Sequence, residues 1–414
     1  MKNILKQFAP PVMALAIIMV LISSCNKGVN DIGGTPVITP NVISANRAIG
    51  DTLNTAARAN DSLYYKLIVR GGMLNTLNNK NVNYTLFVPT NQAMRVFINA
   101  ISGGLVPLAA PDAIFAGFIN ANIPVASAAG IVTYNTIPQA LPSASIPSTF
   151  PNFPYPTLLN PAPTLSAFLR LNVYPSSRNG FWVNNVPLVS VDNMAANGII
   201  HETGSILTPP QQYLWDRINV DTTLTYLKAA VLRADSGVAV TGAGSLQGAL
   251  LNIGANLTVY APVDVAFRAT LTGAIAQALI AQGVPPATAL AQATFLASTP
   301  AVFSNPALFG ALSAQTIKGI VVYHLMGVRA FNNNLPTTQA NFPTLLNGAI
   351  PQHPGIGLRS TFTGMFVSAA TVKGLGNAAA ADIAINPRPA PNGSSDQNYL
   401  NGVLHKINQV LLPQ

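Results

Sequence analysis

The chain has 414 residues, of which 49% are apolar and only 8% charged, with a formal net charge of +9 at pH 7. That length provides for two or three domains, and so apolar a composition excludes a disordered, solvating chain. No two basic residues are adjacent, and acids are scarce, with eleven Asp and one Glu. The positive balance is therefore general surface charge rather than the basic stripe that nucleic-acid binding needs, and no nucleic acid is expected as partner.

At the N-terminus, Lys2 and Lys6 precede an apolar run, Phe8 to Ile22, too short to cross a bilayer comfortably, which takes about 20 residues. Small residues follow at Ser23-Ser24, then Cys25, the only cysteine. This arrangement reads as a secretory leader over 1–24, and it resembles a bacterial lipobox. The resemblance implies cleavage before Cys25, acylation of Cys25 (palmitate or a similar chain) and anchoring in the cell envelope. Asn26 does not look like the aspartate that retains lipoproteins at the inner membrane, which favours the outer membrane. With Cys25 acylated, no disulfide and no cysteine metal site remain. Residues 25–41, punctuated by glycine and proline, read as a tether.

Next comes "NYTLFVPTNQAM" (Asn83 to Met94), echoed 173 residues later by "NLTVYAPVDVAF" (Asn256 to Phe267). A β-rich run stops at Pro89 and again at Pro262, because proline cannot donate to a sheet ladder. Asn91 and Asp264 are equivalent polar positions expected to cap the helix that follows, and apolar residues at helical spacing come after them. A second phrase, "NGIIHETGSILTPP" (Asn197 to Pro210), returns as "NGVLHKINQVLLPQ" (Asn401 to Gln414), offset by 204. Asn-Gly reads as a tight-turn pair, and the residues after it as a strand of alternating faces. His201 and His405 share the apolar face of that strand, so both are expected to be buried and hydrogen-bonded.

These phrases, in this order and twice over, resemble the fasciclin (FAS1) domain family. The resemblance covers residues 42 to 414 and implies an α+β fold: two tandem FAS1-like domains, 42–210 and 211–414, each a β-wedge or sandwich flanked by several helices. A family Tyr-His pair is visible once, as Tyr323-His324 in "IVVYHLMGVRAF"; in the first domain Leu171-Asn172 of "AFLRLNVYP" is taken as its counterpart. On that alignment the gap from Pro89 to Asn172 is 83 residues, against 62 from Pro262 to His324.

The first gap carries "SASIPSTFPNFPYPTLLNPAP" (Ser143 to Pro163), where Phe150, Phe153 and Tyr155 interleave with proline and are candidates for stacking on sugar rings or a protein. Tyr323 and His324 are the other candidate contacts, by resemblance, although an apolar run of this kind serves more often as core than as contact surface. The lone glutamate, Glu202, has only Asp192 nearby in sequence as a partner carboxylate, and no G-x-S-x-G, H-E-x-x-H or Walker A lysine occurs. No enzyme, cofactor or metal is therefore expected. The expected function, from the resemblance, is a lipid-anchored surface protein for adhesion or ligand capture, binding extracellular polysaccharide or protein through its loops. The alternative is an accessory subunit of an outer-membrane polysaccharide-uptake complex, held by protein contacts to a receptor.

Overall fold

A computed structural model describes residues 47–386 and 393–414. The leader, the tether and Cys25 lie outside the described residues, as do residues 387–392. The described chain divides into two compact units, one ending at Pro210 and the other starting at Gln211. Both mix helices with one main sheet, an α+β architecture.

In the first unit the helices include α1 (Ile49–Leu53), α2 (Ser62–Arg70), α3 (Asn91–Ile101), α4 (Asp112–Asn122) and α5 (Val125–Tyr134). The strands are β1 (Tyr84–Pro89), β2 (Thr136–Ile137), β3 (Tyr155–Pro156), β4 (Asn172–Val173), β5 (Pro175–Ser176), β6 (Trp182–Val183), β7 (Val186–Ala195) and β8 (Gly198–Thr203). Six of them form a sheet in the order β2-β1-β8-β7-β6-β5, while β3 and β4 pair with each other.

In the second unit the helices include α6 (Leu214–Val220), α7 (Thr225–Ala234), α8 (Asp264–Ala281), α9 (Pro286–Leu296) and α10 (Ala314–Tyr323). The strands are β9 (Leu257–Pro262), β10 (Leu325–Met326), β11 (Ala340–Phe342), β12 (Ile356–Thr363), β13 (Phe366–Lys373), β14 (Ala381–Ile383), β15 (Gln397–Tyr399) and β16 (Gly402–Ile407). Their order is β10-β9-β16-β14-β13-β12-β11, with β15 beside β16.

The centre of both sheets is the same. Each closing strand runs parallel to the first strand, in identical register: Tyr84 to Pro89 lie beside Gly198 to Thr203, and Leu257 to Pro262 beside Gly402 to Ile407. Parallel pairing buries both faces of a strand, and β1 and β9 are buried at every position. Alternation then sorts the side chains. Leu86, Val88 and Ile200 face the helical core with Leu67, Met94, Phe115 and Val132. Val259, Ala261 and Leu404 do the same with Leu227, Phe267, Ile317 and Val321. Phe87 and His201 lie on the other face, as do Tyr260 and His405.

Among the described residues no single helix is long and apolar enough to cross a membrane; α4 and α5 qualify only as a pair bent by 111°. Both helices of that pair put residues into the domain core, Phe115 and Ile119 from α4 and Ile131 and Val132 from α5.

Candidate functional site

The doubled phrases meet at the closing strand. Pro89 and Pro262 end β1 and β9 as expected. Thr90 caps α3, accepting a hydrogen bond from Ala93 N at 3.3 Å. Asn91 does not cap its own helix, contrary to the sequence expectation. Its Oδ1 accepts from Leu63 N at 3.0 Å, at the start of α2, and its amide donates to Ala59 O, Ser62 Oγ and Asp112 Oδ2. Asp264 behaves identically: its carboxylate accepts from Tyr226 N at 3.0 Å and Thr225 Oγ1 at 2.6 Å, at the start of α7. Neither α2 nor α7 has a side-chain cap of its own, so their free N–H groups are satisfied from across the domain.

The Asn-Gly pairs are also more than turns. Asn197 Oδ1 accepts from Ile49 N at 2.8 Å, and its amide donates to Leu77 O at 2.8 Å and Asn79 O at 3.0 Å. Asn401 repeats this with Leu214 N at 3.0 Å and Leu250 O at 2.8 Å. Both side chains are fully buried. The following glycines are required by crowding, since a Cβ at Gly198 would lie 1.9 Å from Tyr84 O and one at Gly402 2.4 Å from Leu257 O.

His201 and His405 are buried and hydrogen-bonded at both nitrogens. His201 Nε2 donates to Leu141 O at 2.9 Å while Nδ1 accepts from Asp192 N at 3.2 Å. His405 Nε2 donates to Ala330 O at 2.8 Å and Nδ1 accepts from Asp396 N at 3.2 Å. Burial lowers both pKa values, opposed by those carbonyls and by the nearby Asp192 and Asp396. Burial in turn raises the pKa of Asp396, against the pull of His405. Asp192 and Asp396 sit at equivalent left-handed positions (φ 59° and 53°) and hold the crossing loops through Ser143 and Asn332. Thr85 and Thr258 grip those loops from the first strand, accepting from Leu141 N at 2.7 Å and Ala330 N at 2.9 Å.

Tyr323 and His324 are core, not contact surface. Tyr323 is fully buried; its hydroxyl donates to Gly355 O at 2.7 Å and accepts from Leu375 N at 2.9 Å. His324 Nδ1 donates to Ile320 O at 2.8 Å and Nε2 accepts from Leu411 N at 2.8 Å, while burial pushes its pKa down to about 4. The first domain does possess the counterpart. Register places Thr136 opposite Leu86 as Leu325 lies opposite Val259, which makes Tyr134-Asn135 the equivalent pair. Asn135 donates to Ile131 O at 2.7 Å and Leu207 O at 2.8 Å, reaching the same helix turn and closing segment as His324. The likeness of "IVTYN" to "IVVYH" was the available signal. Leu171-Asn172, the pair aligned from sequence, sits elsewhere, with Asn172 in β4 opposite Pro156.

With His353 bonded to Pro413 O at 2.8 Å and Gly355 N at 3.0 Å, all four histidines spend both nitrogens on backbone groups. None retains a free nitrogen for a metal or a proton transfer, and no metal-binding cluster occurs among the described residues. Glu202 and Asp192 do not meet either: Glu202 pairs with Arg58 at 2.8 Å, while Asp192 holds Ser143 and His201.

The aromatic stretch separates by exposure. Tyr155 is buried, Phe150 half-buried, and Phe153 43% exposed with its ring edge-on to Tyr155 at 5.3 Å. Tyr155 begins a two-stranded arm, β3–β4, closed by Thr157 N to Leu171 O at 2.9 Å and Leu171 N to Leu159 O at 3.0 Å. Its outer loop is pinned by Asn160, which donates to Ser166 O at 2.7 Å and accepts from Ala162 N at 2.9 Å. On that pinned loop stand Leu165, 69% exposed, and Phe168, 90% exposed. Neither was expected from sequence, because Phe168 fell inside the aligned motif "AFLRLNVYP" and Leu165 between that motif and the proline-rich stretch.

Residues 60–209 match the family model of the fasciclin domain. No curated protein matches the chain. Among solved structures, a FAS1 domain pair from the insect cell adhesion molecule fasciclin I is 14% identical, with 86% of this chain and 98% of that chain covered and a TM-score of 0.31. Within the chain itself, residues 211–414 repeat the parallel register, the trans-capping carboxyl or amide, the buried asparagine and the histidine of residues 60–209. Residues 60–209 are a fasciclin domain, and residues 211–414 repeat its architecture.

Proposed function

We propose that this protein is an adhesion or ligand-capture protein of the cell envelope, which binds polysaccharide or protein through the β3–β4 arm of its first domain. The observation that carries the reading is the exposure of Phe168 and Leu165 on a loop held in place by Asn160. Apolar side chains presented to water on a fixed loop lose little entropy on binding, and an aromatic face suits a sugar ring or an apolar partner. Membership of the fasciclin family, whose domains are of the adhesion type, supports the same reading, as does the full engagement of the histidines in structural bonds.

Anchoring through an acylated Cys25, at the outer membrane, belongs to this proposal. Metabolic labelling with a palmitate analogue tests it, the label being lost in Cys25→Ala. The binding site is tested by presenting the soluble chain from Asn26 onward to a panel of polysaccharides and matrix proteins, beside Phe168→Ala and Leu165→Ala. Saturable binding that these variants lose, at unchanged thermal stability, supports the arm; binding that they retain removes it.

Helix α9 favours the alternative of a protein-held accessory subunit. It buries only Ala289 and Ala293 and leaves Leu290 54% and Phe295 79% exposed. Mild crosslinking in membranes, followed by recovery of a receptor that Phe295→Ser fails to recover, is the outcome that reading expects.

A further inference from the structure

On the helix-facing side of each sheet the closing strand presents one charge, and the two charges are opposite. Glu202 of β8 meets Arg58 at 2.8 Å, and Arg58 is also paired with Asp61. Lys406 of β16 meets Asp221 at 2.7 Å, and Asp221 is also paired with Arg217 at 2.7 Å. The positions correspond: Glu202 lies beside Val88 and Lys406 beside Ala261, at the same step of the same register. Arg58 and Asp221 both lie in the segment just before the trans-capped helix. One triad is negative-positive-negative and the other positive-negative-positive, and all six side chains are largely buried.

Little else distinguishes the two closing strands. "NGIIHET" and "NGVLHKI" share the buried asparagine, the crowded glycine and the histidine, and differ at two apolar positions only by Ile/Val and Ile/Leu. Beyond the charge, only Thr203 against Ile407 sets them apart. Either strand therefore fits the groove beside β1 or β9 by shape and by hydrogen bonding. Tandem repeats of one fold are prone to this kind of exchange, within a chain or between chains. In an exchanged pairing Glu202 would face Asp221 and Lys406 would face Arg58. Both contacts repel, and like charges directly opposed in a largely buried site are costly.

We propose that the mirrored charges assign each closing strand to its own domain, and so protect the tandem chain from strand exchange during folding. The ion pairs act here in selecting a pairing, a role that does not depend on their net contribution to stability.

The test makes both domains carry the same triad. Arg217→Asp/Asp221→Arg/Lys406→Glu gives the second domain the sign order of the first, so every ion pair still attracts while discrimination is lost, although the bonds of Asp221 and Lys406 to Thr223 go with it. The full chain is unfolded in urea, refolded across a range of concentrations, and the native fraction read by size-exclusion chromatography and near-UV circular dichroism. The expected result is recovery lower than wild type by about threefold, with exchanged high-mass species growing with concentration, a loss larger than any fall in the urea midpoint accounts for. Arg58→Asp/Asp61→Arg/Glu202→Lys gives the reciprocal variant, expected to behave alike if the first does not fold. Wild-type recovery in a folded variant, or a recovery that falls only in step with the urea midpoint, overturns the proposal.

Discussion

Asn401→Ala removes one buried side chain that joins three parts of the second domain. Its Oδ1 accepts the Leu214 N–H at 3.0 Å where α6 starts, its amide donates to Leu250 O at 2.8 Å, and its own backbone carbonyl accepts Leu257 N, the first residue of β9, at 3.0 Å. Alanine retains the last bond and loses the first two. Each lost bond costs about 1 kcal/mol net, and each backbone group stranded away from water adds about 1–3 kcal/mol. Leu214 and Leu250 are buried, so little water reaches either group. The expected loss is roughly 4–8 kcal/mol, a large share of the ~5–15 kcal/mol that holds a domain together. A two-domain chain need not unfold in one step, so the assay is urea unfolding followed by hydrogen exchange at amides assigned to each domain. Asn197→Ala provides the replicate, losing the same pair of bonds to Ile49 N and Leu77 O in the first domain. A loss below about 1 kcal/mol in either variant would refute the reasoning, because it would mean the stranded groups find partners at no cost.

Gly198→Ala and Gly402→Ala place a methyl group against the carbonyls of Tyr84 and Leu257, and each is expected to prevent its own domain from folding, seen as protease sensitivity confined to that domain. Protonation of His324 opposes folding: its folded pKa of about 4 lies below the unfolded 6.5, so the unfolded chain binds more protons between these values. Stability is therefore full above about pH 6.5 and falls by about 3 kcal/mol as the pH drops to 4, a slope that His324→Gln should flatten in urea titrations at several pH values. Tyr323→Phe strands Gly355 O and Leu375 N and should cost about 1–3 kcal/mol without altering binding to any ligand, measured by thermal melting beside a binding assay. Phe168→Ala, at an exposed site, should shift stability by no more than about 0.5 kcal/mol while removing the arm's contact.

Features that depend on neighbouring residues or on pattern were legible in the sequence. The doubled phrases placed both first strands and both closing strands, since a β-rich run ended by Pro89 or Pro262 and a strand opened by Asn-Gly need no distant partner to be recognised. Alternation along "NGVLHKI" also placed His405 among buried residues, because the period of two is a property of the strand itself. The roles of polar side chains that reach across the fold became legible only in three dimensions. Asn91 looks like a cap in its own segment, yet its partner is Leu63, 28 residues earlier, because Thr90 already occupies the local cap and the start of α2 has none. The pairing of Tyr134-Asn135 with Tyr323-His324 was hidden for a related reason. The two domains differ in helix length between the first and second strands, α8 running 18 residues where α3 runs 11, so counting along the chain misaligns them. Sheet register does not depend on that length. The charge triads were the least legible, because Arg58 with Glu202 and Asp221 with Lys406 lie far apart in the chain and become neighbours only when the closing strand returns beside the first.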